Sequence, residues 1–207
     1  MQSVLYEFLY QSDIDNLQNL CLIDKEAKRI CYDKYFWYNY FDKHNLEVIT
    51  DENTPQQWIH EFKSLKNAHS KTSAVIDYLM SNSPLEIFSF YLTEFDSYKK
   101  IPIFPQSLIH KVELLEVNYK PKELTFYREF DLLYMAYTFI SNDFNVIEYN
   151  FRVDLKQLKY TLFMFYYYCY KHYIPIYNRG SGDRHYFPYI YENIIKDPFY
   201  QDEDEDV

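Results

Sequence analysis

Apolar residues recur at three- and four-residue steps through the first 44 residues of the chain, and polar residues interrupt them twice. The first stretch covers residues 1–11, and Ser12 and Asp13 end its pattern. A second stretch covers residues 15–29, and a third, residues 33–44, places four aromatic side chains on about one face. Such spacing is typical of amphipathic helices. The pattern therefore predicts three short helices, each with one face that other residues cover.

Helical spacing continues beyond residue 54, in segments that mostly begin at a proline or at a preferred N-cap residue. Thr54 and Pro55 combine an N-cap type with a first-turn proline, and they open a segment that reaches His69. Residues 73–80 form a short segment after it. Four more apolar stripes predict helices, and these begin after Pro84, Pro105, Pro121 and Asp154.

Three short stretches compete with this helical interpretation, because their residues alternate in polarity and favour β-structure. They are residues 101–104, 146–153 and 173–177. We predict a mainly α fold, in which an N-terminal three-helix module is followed by an irregular helical domain, with room for a small β-sheet. The module occupies residues 1–45, the helical domain residues 54–200 and an acidic tail residues 201–207. The polar residues between the first two form a short linker.

An acidic residue, two spacers and an apolar–Trp pair occur at Asp33, Phe36 and Trp37, downstream of apolar residues at helical steps. In this spacing, which runs without a gap over 37 residues, the chain resembles the F-box family. Three features differ from the family's pattern. The usual opening Leu-Pro is absent, Ser12 stands at a usual leucine, and Ala27 stands at a usual large aromatic residue. Each difference reduces the apolar surface that an F-box offers to its partner.

An F-box is a short helical module that docks onto a Skp-type adaptor of cullin-RING ubiquitin ligases. The resemblance therefore implies a non-enzymatic protein-interaction adaptor, whose residues 54–200 recruit an unknown target protein and hold it beside the ligase. It also implies a set of apolar residues that form or support the adaptor-binding face. They are Leu5, Phe8, Leu9, Leu17, Leu20, Ile23, Phe36 and Trp37.

The alternative is a structural or assembly protein, for example a virion-associated one, whose N-terminal helices only complete a core. One observable separates the two interpretations. A docking face leaves an apolar patch of roughly several hundred Å² exposed. A core helix, in contrast, is covered by residues 54–200.

Charge and composition narrow the choice of partner. The net charge is −10, and five acidic residues at 202–206 supply half of it, so the tail is expected to stay solvated and disordered. The chain has no basic run of clustered Lys and Arg to neutralise phosphates, which argues against nucleic acid as the main partner. The 25 Tyr and 17 Phe beside 2 Gly indicate an AT-rich genome, such as that of a large DNA virus.

Cysteine use and the apolar runs indicate a soluble intracellular protein that does not insert into a membrane. Cys21, Cys31 and Cys169 share no metal-binding spacing, and they resemble the small core residues of proteins in a reducing compartment. The first residues lack the basic start of a secretory leader. The longest strongly apolar run, residues 162–170, is too short to cross a bilayer.

A polar stretch after residue 177 contains both glycines of the chain. Its successive backbone amides and two arginines could cradle a phosphate or a carboxylate. The alternative is a surface turn that needs only the conformational freedom of glycine. The residues concerned are Arg179, Gly180, Ser181, Gly182, Arg184 and His185.

Motifs for catalysis are not found. The six histidines contain no pair at the i, i+4 spacing of metal ligands, and no Gly-x-Ser-x-Gly sequence occurs. The sequence therefore predicts neither an enzyme nor a metal site, and it implies no cofactor.

Overall fold

The computed structural model describes residues 2–81, 85–91, 120–141, 143–174 and 176–180. In this part of the chain six helices occur: α1 (Gln2–Gln11), α2 (Ile14–Ile23), α3 (Lys25–Cys31), α4 (Lys34–Lys43), α5 (Pro55–Leu79) and α6 (Leu155–Lys171). The same residues form five strands: β1 (Leu85–Tyr91), β2 (Lys120–Glu129), β3 (Leu132–Ile140), β4 (Val146–Val153) and β5 (Tyr177–Gly180).

The chain divides into two compact units. The helical unit comprises the described residues within Met1–Ala74 and Lys159–Pro175. The sheet unit comprises those within Val75–Lys100, Phe104–Leu158 and Ile176–Val207. The helical unit thus holds α1 to α4 with most of α5 and α6, while the sheet unit holds all five strands.

Aspartates cap the starts of α2, α3 and α4 in the helical unit. Asp13 accepts hydrogen bonds from the backbone amides of Asp15 and Asn16, at 3.1 and 2.8 Å. Asp24 accepts one from the amide of Ala27 at 2.7 Å. These bonds satisfy amides that have no partner within the first turn of a helix. Because Asp24 starts a new helix, the predicted second helix is divided into α2 and α3, and this region contains four helices rather than three.

The two long helices begin with a reciprocal pair of hydrogen bonds. Thr54 Oγ1 accepts from the amide of Gln57 at 3.3 Å, while Gln57 Oε1 accepts from the amide of Thr54 at 3.1 Å. Asp154 and Gln157 exchange bonds in the same way, at 2.7 and 3.0 Å. Each pair satisfies two amides at once. The predicted starts of α5 and α6 are confirmed, and α5 continues unbroken to Leu79 through both segments that the sequence predicts.

Aromatic side chains form the core of the helical unit. Trp37 of α4 stacks on Trp58 of α5, with ring centroids 6.1 Å apart and planes 8° from parallel. Phe41 and Phe62 pack edge-to-face beside them, at 5.3 Å. Trp37 Nε1 also donates to the backbone oxygen of Cys31 at 2.7 Å, so the polar group of this fully buried ring is satisfied. Aromatic packing therefore holds α4 against α5.

The sheet unit is built on an antiparallel sheet with the strand order β4-β3-β2-β1-β5. Leu124 and Phe126 of β2 are buried at alternate positions, as the two-residue repeat of a strand requires. β2 and β3 are joined directly by the turn at Phe130 and Asp131. Among the described strands, β4 and β5 lie at the two edges of the sheet.

The predicted mainly α fold class is wrong, because an antiparallel sheet stands where an irregular helical domain is expected. The segment after Pro84 forms β1, and the segment after Pro121 forms the hairpin of β2 and β3. Apolar residues are so dense in both segments that they fit a two-residue and a 3.6-residue period equally well.

The stretches that were predicted to compete with helices have different outcomes. The strand predicted at residues 146–153 is confirmed as β4. Of the described residues in the stretch 173–177, only Tyr177 belongs to a strand. Residues 101–104, the segment after Pro105 and the acidic tail lie outside the described residues.

A disulfide bond joins Cys21 of α2 to Cys31 at the end of α3, and both cysteines are buried. Cys169 of α6 is a buried free thiol. The expectation of small core cysteines is therefore correct for their burial, but Cys21 and Cys31 are not free thiols.

None of the helices in the described part of the chain combines the length and the apolar character that spanning a membrane requires.

Candidate functional site

A groove of about 540 Å³ lies at the junction of α1 and α2. Phe8 and Leu20 supply its apolar lining. The other lining residues are polar, namely Gln11, Ser12, Asp13, Asn16 and Asn19. Amide and hydroxyl groups beside two apolar side chains suit a groove that accepts an apolar anchor and hydrogen-bonds the backbone next to it.

The turn between α1 and α2 shapes this groove. Ser12 Oγ donates to the backbone oxygen of Phe8 at 2.8 Å at the end of α1, and Asp13 then caps α2. From α4, the hydroxyl of Tyr40 donates to the backbone oxygen of Ser12 at 2.9 Å. α4 therefore holds the turn that brings the two lining helices together.

Apolar side chains beside the groove remain exposed. Phe8 is 56% exposed, and Val4, one helical turn earlier on α1, is 71% exposed. Residues four positions apart lie on the same face of a helix, so Val4 and Phe8 form one exposed strip. Leu20 is partly exposed on the other side of the groove. We call Val4, Phe8 and Leu20 the N-terminal apolar surface.

The residues predicted for an adaptor-binding face divide into two groups. Four are completely buried in the helical unit, namely Leu9, Leu17, Phe36 and Trp37. Three are exposed to different extents, namely Leu5, Phe8 and Leu20. The side chain of Ile23 lies outside the described ones. Of the seven described side chains, a partner can contact only the second group, while the first supports it from within: Phe36, for example, packs edge-to-face on Tyr6 of α1 at 5.5 Å.

The stretch predicted to bind an anion is only partly described. Arg179 and Gly180 belong to the edge strand β5, where they pair with Ser89 and Phe88 of β1. The backbone at these two residues is therefore an extended strand and not a loop. Four residues of the stretch lie outside the described residues, namely Ser181, Gly182, Arg184 and His185.

A buried polar cluster in the helical unit was missed by the sequence interpretation. Glu61 of α5 is 0% exposed, and it accepts hydrogen bonds from the Tyr167 hydroxyl at 2.9 Å and from Lys171 Nζ at 2.6 Å. Lys171 also forms an ion pair with Glu52. Thr50 Oγ1 lies 2.7 Å from the Tyr167 hydroxyl. We call these five residues the Glu61 cluster.

Burial and charge act together on the titrating groups of the Glu61 cluster. Burial alone lowers the pKa of Lys171, but hydrogen bonds to Glu52 and Glu61 outweigh this effect and leave the pKa raised. Burial raises the pKa of Tyr167, and the neighbouring Glu61 carboxylate raises it further. At neutral pH, Lys171 is therefore a cation and Tyr167 a neutral donor to Glu61. Glu61 itself is closed to solvent, and the cluster connects α5, α6 and the segment before α5.

The position of Glu61 in the sequence is the signal that could have identified this cluster. Glu61 follows Trp58 by three residues and precedes Leu65 by four, so it lies on the apolar face of α5. A carboxylate at such a position is almost never buried without a partner.

Among the described residues, no group of three or more His, Cys, Asp or Glu side chains is arranged to hold a metal ion.

Comparison of the chain with protein-family models finds no match, and comparisons with curated proteins and with solved structures find none either. The described side chains are therefore the basis for assigning a function.

Proposed function

We propose that this chain is a non-enzymatic protein-interaction adaptor that docks a Skp-type adaptor of cullin-RING ubiquitin ligases at the N-terminal apolar surface. The observation that carries the proposal is the exposure of Phe8 beside a groove that it lines together with Leu20. Exposed large aromatic side chains next to a concave surface are typical of protein-binding sites. The F-box-like spacing from Asp33 to Trp37 favours this class of partner.

In this proposal an apolar side chain of the partner enters between Phe8 and Leu20. The side-chain amide of Asn19 then hydrogen-bonds polar groups around that anchor, together with the remaining donor and acceptor capacity of Gln11 and Asn16, whose amides already bond neighbouring side chains within the chain. Polar groups of the partner that lose water are thereby given a replacement. The chain carries out no bond-making step. Its effect is to raise the local concentration of a target protein beside the ligase.

Binding of the purified full chain to a purified Skp-type adaptor, measured by isothermal titration calorimetry, tests the proposal. We expect Phe8→Ala and Leu20→Ala each to weaken binding by about tenfold or more, because both remove an apolar contact at the centre of the interface. Phe130→Ala is the matched control, since Phe130 is 70% exposed in the sheet unit. It should bind like the wild type, and all variants should keep the wild-type circular dichroism spectrum.

A second candidate function rests on the buried half of the predicted residues. Phe36 and Trp37 are fully buried, and Trp37 stacks on Trp58 of α5, as expected if the N-terminal helices only complete the core of a structural or assembly protein. In that case the folded wild-type chain would not bind the adaptor, and Phe8→Ala would change nothing. The same titration therefore distinguishes the two candidates.

A further inference from the structure

Among the described strands, β4 lies at an edge of the sheet, and although it carries two charged residues it lacks the short length, the proline and the bulge that protect many edge strands. Its inner side pairs with β3 from Leu133↔Val153 to Ile140↔Val146 without a register shift. No strand pairs with its outer side in the described part of the chain. Edge strands are commonly short, or they carry a proline or a bulge that prevents further pairing. β4 has eight residues and neither a proline nor a glycine, so its outer side can accept another strand.

The hairpin geometry shows which backbone groups of β4 point outward. Just beyond the pair Ile140↔Val146, the amide of Ser141 donates to the backbone oxygen of Asn145 at 2.9 Å. Hydrogen-bonded and non-hydrogen-bonded pairs alternate along an antiparallel ladder. The backbone groups of residues 147, 149, 151 and 153 therefore bond β3. Those of residues 146, 148, 150 and 152 point away from it.

The sequence of β4 is complementary to itself in one antiparallel register. When Asn150 lies opposite Asn150 of a second copy, Glu148 lies opposite Arg152 twice, related by the twofold axis. The same register places Tyr149 opposite Phe151 and Ile147 opposite Val153. Opposite charges and aromatic pairs facing each other across two strands are stabilising.

Other arrangements lose this complementarity. A register centred on Tyr149 places Glu148 opposite Asn150, and one centred on Phe151 places Glu148 opposite Asp154, with like charges. A parallel arrangement also brings like charges together. Within one copy the two charged residues are exposed, and no carboxylate of the described residues forms an ion pair with Arg152.

We propose that β4 pairs with β4 of a second copy of this chain about a twofold axis at Asn150, so that the two sheets become one. The outward backbone groups of Glu148, Asn150 and Arg152 bond those of the partner copy, and the two Glu148–Arg152 pairs set the register. Pairing of a single strand buries less area than a permanent dimer interface requires. The dimer therefore forms reversibly and depends on protein concentration.

Sedimentation velocity of the full chain over a range of concentrations tests this proposal. We expect a monomer–dimer equilibrium for the wild type, and a dimer weakened about tenfold or more in Glu148→Arg and in Arg152→Glu. Each of these substitutions replaces two attractive contacts with two repulsive ones. An equimolar mixture of the two variants should restore dimerisation, because every charge in the mixed pair again faces its opposite. Circular dichroism confirms that each variant is folded.

Three results would overturn the proposal. The first is a wild type that stays monomeric over the whole range. The second is a dimer of unchanged strength in both single variants, which would place the interface elsewhere. The third is a mixture of the two variants that remains as weak as either variant alone, which would exclude the assigned register.

Discussion

The helical unit buries a carboxylate in addition to hydroxyls, whereas the buried polar side chains described in the sheet unit are hydroxyls only. The helical unit buries the carboxylate of Glu61 completely and supplies it with Lys171 and Tyr167. The buried polar side chains described in the sheet unit are hydroxyls, such as Ser89, which lies 3.1 Å from Thr125 Oγ1 on the neighbouring strand. A buried charge without a partner costs far more free energy than a buried hydroxyl. The helical unit therefore depends more on a few specific contacts than the sheet unit does.

The largest loss of stability is expected for a substitution that removes the cation of the Glu61 cluster. Lys171→Met leaves Glu61 and Glu52 without their cation, and we expect the free energy of unfolding to fall by about 3–5 kcal/mol. The matched control is Lys63→Met, because Lys63 pairs with the exposed Asp15 at 2.7 Å and such pairs contribute about 1 kcal/mol or less. Urea denaturation followed by tryptophan fluorescence measures both changes, since both tryptophans of the chain lie in the helical unit.

A double variant sharpens this prediction. If the Glu61 cluster acts as a unit, Glu61→Leu combined with Lys171→Met costs less than the sum of the two single changes. Equal losses in Lys171→Met and Lys63→Met would instead show that the cluster contributes no more than a surface pair.

At alkaline pH we expect a smaller and more gradual loss of stability, which also differs between the units. Burial raises the pKa of Tyr40 to about 12 and that of Cys169 to about 12, and both residues lie in the helical unit with Tyr167. A raised pKa means that the folded state holds the proton more tightly than the unfolded state. The stabilisation is therefore complete below the pKa values that these groups have in the unfolded chain, 9.0 for the thiol and 10.0 for the phenol. It is lost as the pH rises toward 12.

Denaturation curves recorded by tryptophan fluorescence from pH 8 to about pH 11 test this pH dependence. We expect the free energy of unfolding to fall steadily above about pH 9, and Tyr40→Phe, which removes one titrating phenol, to reduce the slope. In the sheet unit burial raises the pKa of Tyr137 and Tyr127, so fewer groups contribute there among the described residues. A stability that stays constant over this range would contradict the prediction.

The smallest effects are expected at two residues with the same backbone strain in different units. Phe130 in the β2–β3 turn has φ 55°, and Tyr173 after α6 has φ 54°. Glycine adopts positive φ without the Cβ clash, so Phe130→Gly should stabilise the chain by about 0.5–1 kcal/mol. Tyr173→Gly should gain less, because the ring of Tyr173 stacks on His60 at 4.6 Å. Thermal unfolding followed by circular dichroism compares the two, and a larger gain at Tyr173 would be the contrary result.

The long helices and the β2–β3 hairpin also differ in how well the sequence predicts them. The starts of α5 and α6 are predictable because Thr54 and Asp154 are N-cap residues followed three positions later by a glutamine. The hairpin of β2 and β3 is not, since its turn at Phe130 lacks the Asn-Gly or Asp-Gly pair that marks a tight hairpin. A cap marks the start of a helix by local chemistry, and it can therefore confirm a helix that periodicity predicts. Without such a cap, a segment dense in aromatic residues fits both the helix period and the strand period.

The candidate site is predictable only in part, for a related reason. Periodicity identifies Phe8 and Leu9 as apolar helix positions, but it does not say which of them another helix covers. In the structure Leu9 is buried and Phe8 is exposed beside the groove. The Glu61 cluster depends on Lys171, more than 100 residues away in the sequence, and no local pattern predicts that contact.

The disulfide between Cys21 and Cys31 gives the N-terminal region a covalent ring, with a sequence separation of 10. The ring encloses the junction of α2 and α3, so these two helices stay tethered even in a fully denatured chain. By the loop-entropy argument, a ring of this size lowers the conformational entropy of the denatured ensemble. This raises the free energy of unfolding by about 2–3 kcal/mol. The oxidised and reduced chains thus share one sequence, yet they unfold to different reference states.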